Sequence, residues 1–187
     1  MFGSLLIPFA VLLAVTVLGF YLYIQRRKRR ERISEILSGT NLLAHWIYTP
    51  NEWQRAVEEE FTWAKSQGDE GHVYISPTVI YVKSDSGDRL IELSGDGKVV
   101  TYAGYRGEEG SPLKLRVRWK IVKRYKDQHD EVKYYKEDYR IPVPVKYKEE
   151  ARRVADFFTA KLEANLDAYT AVVPDDEPIS LFGKDSF

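Results

Sequence analysis

Apolar and polar positions follow different periods along the chain. Residues 5–24 form an uncharged, largely apolar run of 20 residues. Residues 50–67 repeat apolar side chains at helical spacing, whereas residues 71–143 alternate apolar and polar side chains. The helical spacing returns over residues 151–169. The pattern therefore predicts an apolar helix, an amphipathic helix, an antiparallel sheet and a second amphipathic helix, in that order.

The first amphipathic helix begins with the clearest local signal in the sequence. Thr49 and Glu52 have the spacing of a capping box, and Pro50 stands at the first helical position, where its missing N–H costs nothing. We expect this helix to cover residues 50–67 and to stop at Gly68. Its apolar face comprises Trp53, Ala56, Val57, Phe61 and Ala64. That face, together with Trp46, is predicted to pack in a core rather than to form an aromatic binding pocket.

Six segments with period 2 are predicted to be strands. They are residues 73–76, 78–83, 89–94, 99–105, 113–125 and 132–143. Short, turn-rich connections separate them and favour an antiparallel meander. Pro142 and Pro144 end the last strand, and the stripe of the second amphipathic helix follows at Ala151, Val154, Ala155, Phe158, Leu162, Leu166 and Tyr169.

The uncharged run of residues 5–24 is long enough to cross the roughly 30 Å hydrocarbon core of a bilayer as a helix. Six basic residues follow it, namely Arg26, Arg27, Lys28, Arg29, Arg30 and Arg32. A cleaved signal peptide would have its positive charge before a shorter apolar stretch, so we predict a single-pass transmembrane helix. The positive-inside bias then places residues 1–4 outside and the rest of the chain in the cytoplasm, on the inner face of the cell membrane.

These boundaries predict five segments. Residues 1–4 are a short extracytoplasmic tail, 5–24 the transmembrane helix, and 25–39 a basic juxtamembrane segment ending in a hinge. Residues 40–171 form a soluble α+β domain. Residues 172–187, rich in proline and acidic side chains, are predicted to be a flexible tail.

The charge balance bears on possible partners. The chain has 28 basic and 28 acidic residues, and the juxtamembrane cluster leaves the remainder mildly acidic. This balance argues against nucleic-acid binding, which requires a basic surface. The juxtamembrane cations are interpreted first as a topology signal, with recruitment of anionic lipid as the alternative.

A second group of cations lies in the longest predicted strand. Lys114, Arg116, Arg118 and Lys120 alternate with apolar residues, so they should share one face of the sheet. One hypothesis is a solvated face whose cations pair with acids such as Glu131 and Glu137 on the next strand. The other is a docking stripe for anionic lipid or an acidic partner.

The order of these elements resembles the pleckstrin-homology-like domains of bacterial membrane proteins. The likeness covers residues 71–166 and includes the segment Arg140-Ile141-Pro142-Val143-Pro144 before the second amphipathic helix. It implies a bent sheet closed at one end by the C-terminal helix. The region around Pro77 lacks the Lys/Arg cluster of lipid-binding members. The alternative fold is a cystatin-like open sheet curled around the first amphipathic helix.

Several chemistries have no motif in this sequence. Cysteine is absent, and His45, His72 and His129 have no second ligand at a metal-binding spacing. The Gly95–Lys98 segment lacks the spacing of a phosphate-binding loop. We therefore assign no catalytic residue, metal or cofactor, no nucleic acid and no small-molecule substrate. The sequence predicts a non-enzymatic, membrane-tethered cytoplasmic interaction or scaffold module that binds a protein partner or itself. The alternatives are anionic-lipid sensing by the basic sheet face and an unrecognised enzyme.

Overall fold

A computed structural model describes residues 3–64, 70–125 and 130–174, with side chains from residue 11 onward. The chain divides into two units, Met1–Thr40 and Asn41–Phe187. The described part is α+β, with two antiparallel sheets and four α-helices. Most of residues 172–187, the predicted flexible tail, lies outside the described residues, but Val172 and Val173 at its start are buried.

The first unit contains the long helix α1, Gly3–Leu37. It ends before Gly39, at the hinge predicted for this segment, because Gly39 adopts the left-handed conformation (φ 79°) and its amide donates to the carbonyl of Ile36 at 3.0 Å. Glycine tolerates this conformation without a steric penalty, so the helix stops at a position chosen by local sequence.

Among the helices of the described residues, none is long and apolar enough to cross a membrane. The transmembrane helix predicted over residues 5–24 therefore lacks support from the structure. Residues 5–10 of that span have side chains outside the described part.

The second unit begins with a four-stranded antiparallel sheet whose strands are hydrogen-bonded in sequence order. The strands are β1 (Ala44–Tyr48), β2 (Gly71–Ile75), β3 (Val79–Ser84) and β4 (Gly87–Glu92). Three of them were predicted, whereas no strand was predicted at β1. Because β1 and β2 pair across 22 residues of intervening sequence, no local turn signal marks β1 as a strand.

Helix α2, Pro50–Glu59, lies in that intervening sequence and packs on β1. The predicted capping box is confirmed: the Glu52 amide donates to Thr49 Oγ1 at 3.4 Å, and the Thr49 amide donates to Glu52 Oε2 at 2.9 Å. The helix is shorter than predicted. It ends at Glu59 instead of continuing to residue 67, and Phe61 reaches the core from the turn that follows.

A three-stranded antiparallel sheet follows, again in sequence order. Its strands are β5 (Val99–Gly104), β6 (Leu113–Arg124) and β7 (Asp130–Ile141). The predicted turn at residues 95–97 links the two sheets, with Asp96 and Gly97 both at positive φ. The expected meander is thus confirmed, but it is divided into two sheets at this turn.

Helix α3, Lys148–Ala164, packs on β5 and on β1, the first strand of each sheet. The chain bends at Asn165 (φ −127°, ψ 41°) before the short helix α4, Leu166–Thr170. The predicted apolar stripe is buried through Leu162, but the bend turns Leu166 outward, leaving it 42% exposed. Both sheets, α2 and α3 contribute to one hydrophobic core, in which Trp46 and Trp53 are fully buried as predicted.

Candidate functional site

Strands β6 and β7 extend beyond the sheet to which they belong. Strand β5 pairs with β6 only as far as Val99 opposite Arg118. The pairing of β6 with β7 continues for six more residue pairs, from Trp119 opposite Tyr135 to Arg124 opposite Asp130. Residues 119–125 and 130–135 therefore form a two-stranded ribbon, which we call the arm. No third strand among the described residues pairs with it.

The arm exposes apolar side chains on both of its faces. Of the eight large apolar residues that are exposed within the described part of the second unit, six belong to the arm and are 39–53% exposed. They are Ile121, Val122, Tyr125, Val132, Tyr134 and Tyr135. Cross-strand neighbours group some of them: Val122 lies opposite Val132, and the rings of Trp119 and Tyr135 stack 5.5 Å apart. Exposed apolar groups concentrated on one element are typical of a contact surface.

The end of the arm has a small polar network. Glu131 Oε1 accepts from Lys133 Nζ at 3.0 Å, and Glu131 Oε2 accepts from the Tyr125 hydroxyl at 3.0 Å. These two hydrogen bonds lower the pKa of Glu131. The described arm has four cations, Lys120, Lys123, Arg124 and Lys133, against Asp130 and Glu131, so its net charge is +2.

The four cations of the predicted basic sheet face do lie on one side of β6, but they differ in accessibility. Arg116 Nε donates to Asp138 Oδ1 at 2.6 Å, and Arg118 is only 7% exposed. Lys114 is half-buried, and burial together with the charges of Arg140 and Arg106 lowers its pKa. Lys120 alone among the four is exposed, and it belongs to the arm.

The prediction that Glu131 and Glu137 neutralise this face was wrong. The register places Asp138 opposite Arg116, whereas Glu137 lies opposite Val117 and therefore on the other face of the sheet. Glu131 lies opposite Lys123, seven residues further along β6 than Arg116. A sequence pattern gives the face of each residue within its own strand, but the partner face depends on the register, and a shift of one residue inverts it.

The juxtamembrane cations lie on the last third of α1. Arg26, Arg27, Lys28, Arg29 and Arg30 are exposed, while Arg32 is half-buried. Arg27 Nε pairs with Glu31 Oε1 at 2.8 Å across one helical turn. Such exposed pairs contribute little to stability.

The structure brings together two histidines that no sequence pattern associates. Nε2 of His45 on β1 lies 3.2 Å from Nδ1 of His72 on β2, and the ring of Tyr74 stacks on His45 at 4.1 Å. Partial burial and the neighbouring His72 lower the pKa of His45. The pair was missed because β1 was not predicted as a strand. Within the described residues, no third metal-ligating side chain joins them, and His129 lies outside the described part.

The sequence was compared with known proteins in three ways. No protein-family model matches it, and neither the curated proteins nor the solved structures include a significant match.

Proposed function

We propose that this protein is a membrane-tethered cytoplasmic interaction module whose contact element is the β6–β7 arm. The observation that supports the proposal is the concentration of exposed apolar side chains on a ribbon that has no core of its own. An isolated two-stranded ribbon is marginally stable in water. A partner surface that covers the arm would therefore order it and remove its apolar groups from solvent.

The chemistry of the arm favours a different protein over a second copy of this chain. Covering the exposed part of each apolar side chain contributes roughly 1 kcal/mol, and the six together are comparable with the lower range of the cost of association. The net charge of +2 favours a partner with an acidic rim around an apolar surface. Two arms in contact would instead bring like charges together.

The proposed membrane tether is the apolar segment of α1. Ten large apolar side chains between residues 11 and 23 are each at least 47% exposed, and they lie on every side of the helix. A helix that is apolar all round is typical of a membrane span or of a buried core helix. Together with the uncharged run at residues 5–24 and the cations that follow it, this supports a single crossing with the second unit on the cytoplasmic side.

The arrangement of the second unit also supports a pleckstrin-homology-like fold over a cystatin-like one. Its two sheets have four and three strands, and the C-terminal helix α3 packs on β5 and β1, the first strand of each sheet. Helix α2 packs on the edge strand β1. An experimental structure in which one continuous sheet curls around α2 would contradict this assignment.

Lipid sensing by the basic sheet face has less support. Arg118 is buried, and Arg116 is tied to Asp138, so neither is placed to contact a headgroup. The absence of catalysis stays a prediction from the sequence.

The proposal is tested by removing the apolar groups of the arm. In the full-length protein, Val122→Thr, Val132→Thr and Tyr134→Thr together keep strand propensity while making one face of the arm polar. The matched control is Val145→Thr with Leu166→Gln, the two large apolar residues that are exposed in the described second unit outside the arm. Each protein is purified with its bound proteins from native membranes, and these are quantified by mass spectrometry.

We expect at least one protein to be retained by the wild type and the control and to fall at least tenfold with the arm variant. Equal retention by all three proteins would refute the proposal. Loss of self-association in sedimentation, with no change in other bound proteins, would assign the arm to a second copy and also contradict it. Binding of all three proteins to anionic vesicles that is lost at high salt, with no protein retained by any of them, would favour the lipid alternative.

A further inference from the structure

A cavity of about 180 Å³ lies beside β5 at the junction of α3 and α4. Its apolar lining includes Leu93, Val100, Phe158 and Leu162, all within or next to the hydrophobic core. The bend at Asn165 separates α4 from α3 and leaves this space open between the helices and the turn that links the sheets. The cavity lies wholly within the second unit and does not include the arm.

Two lysines line this cavity. Lys161, on α3, donates from Nζ to the carbonyl of Pro77 at 3.3 Å, and Lys98, at the start of β5, places Nζ 4.9 Å from the centre of the Trp119 ring. None of the described residues that line the cavity is acidic. Neither lysine has a carboxylate within ion-pair distance among the described residues.

The apolar lining and the two lysines together favour a ligand that has an apolar part and a negative charge. An apolar interior excludes strongly polar ligands, because burying a polar group without a partner is unfavourable. The two ammonium groups at the same cavity attract an anion and offer hydrogen bonds that are strongest to a carboxylate or another charged acceptor. Among the described residues, the two ammonium groups contact a backbone carbonyl and an aromatic face, both weaker acceptors than a carboxylate.

The volume limits the apolar part of such a ligand. A dry cavity of about 150 Å³ takes benzene, so 180 Å³ takes roughly six to eight carbon atoms. We propose that this cavity binds a medium-chain fatty acid, with the alkyl chain against Leu93, Phe158 and Leu162 and the carboxylate between Lys98 and Lys161. This site is independent of the arm.

Octanoate is the probe that tests the proposal, because its chain length fits the cavity and it is soluble in water. Binding to the full-length protein in nanodiscs is measured by titration calorimetry, with empty nanodiscs subtracted. We expect one octanoate per chain. Octanol, which lacks the charge, and octylammonium, which reverses it, should both bind more weakly. Equal affinity for octanoate and octanol would overturn the assignment of the two lysines.

Variants of the cavity residues show whether octanoate binds in the cavity or in the membrane of the nanodisc. Ala168 lines the opening and is itself exposed, so Ala168→Trp should fill the space without disturbing the core and abolish binding. Lys98→Gln and Lys161→Gln should each weaken binding about three- to fivefold. Lys83→Gln, an exposed lysine on β3 outside the cavity, is the matched control and should have no effect.

Octanoate affinity unchanged by Ala168→Trp, with the variant melting like the wild type, would refute the site. If that variant fails to fold, octanoate binding by the double variant Lys98→Gln/Lys161→Gln tests the site instead. Binding at least tenfold weaker in the double variant, but normal in Lys83→Gln, supports the proposal. Less than tenfold weakening in the double variant, or an equal loss in the double variant and the control, refutes it.

Discussion

Gly71 is the position where one added methyl group should cost the most stability. The residue opposes Tyr48 in the β1–β2 pairing, and a Cβ built on it would overlap the indole ring of Trp53. Trp53 cannot easily yield, because it is fully buried and its ring packs against those of Tyr48 and Phe61 at 5.7 and 5.6 Å. Either the ring or strand β2 must move.

We expect Gly71→Ala to lower the free energy of unfolding by about 2–3 kcal/mol. Overpacking of a filled core typically costs about 1–3 kcal/mol, and the fixed surroundings of Trp53 place this site at the upper end. Alanine is otherwise more favourable than glycine in a strand by roughly 0.5–1 kcal/mol, so a loss of stability must come from the clash. Urea denaturation of the full-length protein in a mild detergent, followed by far-UV circular dichroism, measures the change.

Gly104 supplies the matched control. The atoms nearest to a Cβ there belong to the outer end of the half-buried Tyr102 side chain, which can shift, so Gly104→Ala should change stability by less than about 0.5 kcal/mol. A double-mutant cycle sharpens the test, since Trp53→Leu should remove most of the penalty of Gly71→Ala. Wild-type stability for Gly71→Ala, or an undiminished penalty in the Trp53→Leu background, would show that the Trp53–Gly71 contact does not constrain the core.

Two further predictions concern protonation and topology. Burial and the nearby His72 lower the pKa of His45 from its ordinary value of 6.5, so the unfolded chain binds more protons and stability should decline as the pH falls below 6.5. The difference in melting temperature between about pH 7.5 and about pH 5.5 should be smaller for His45→Gln than for the wild type. An equal difference would contradict the coupling of stability to the protonation of His45. Protease added outside intact cells should leave the second unit intact but degrade it after lysis; degradation before lysis would contradict the cytoplasmic assignment.

Local sequence determined much of the secondary structure. The capping box at Thr49 and Glu52, the glycine stop at Gly39 and the turn at residues 95–97 each use hydrogen bonds or backbone conformations within a few residues. Period-2 alternation located β2 to β7, because a strand with one buried face imposes that period on its own sequence. For the same reason, the shared face of Lys114, Arg116, Arg118 and Lys120 could be predicted.

Tertiary structure decided what depends on distant neighbours. The identity of β1 as a strand, and with it the His45–His72 pair, required β2 as a partner. Asp138, not Glu137, neutralises Arg116 because the register of β6 and β7 sets which side chains share a face. Ile121 continues the apolar alternation of β6 yet is exposed, because β5 ends its pairing at Arg118. The alternation of a strand specifies which side chains share a face, whereas the extent of its neighbours determines whether that face is covered.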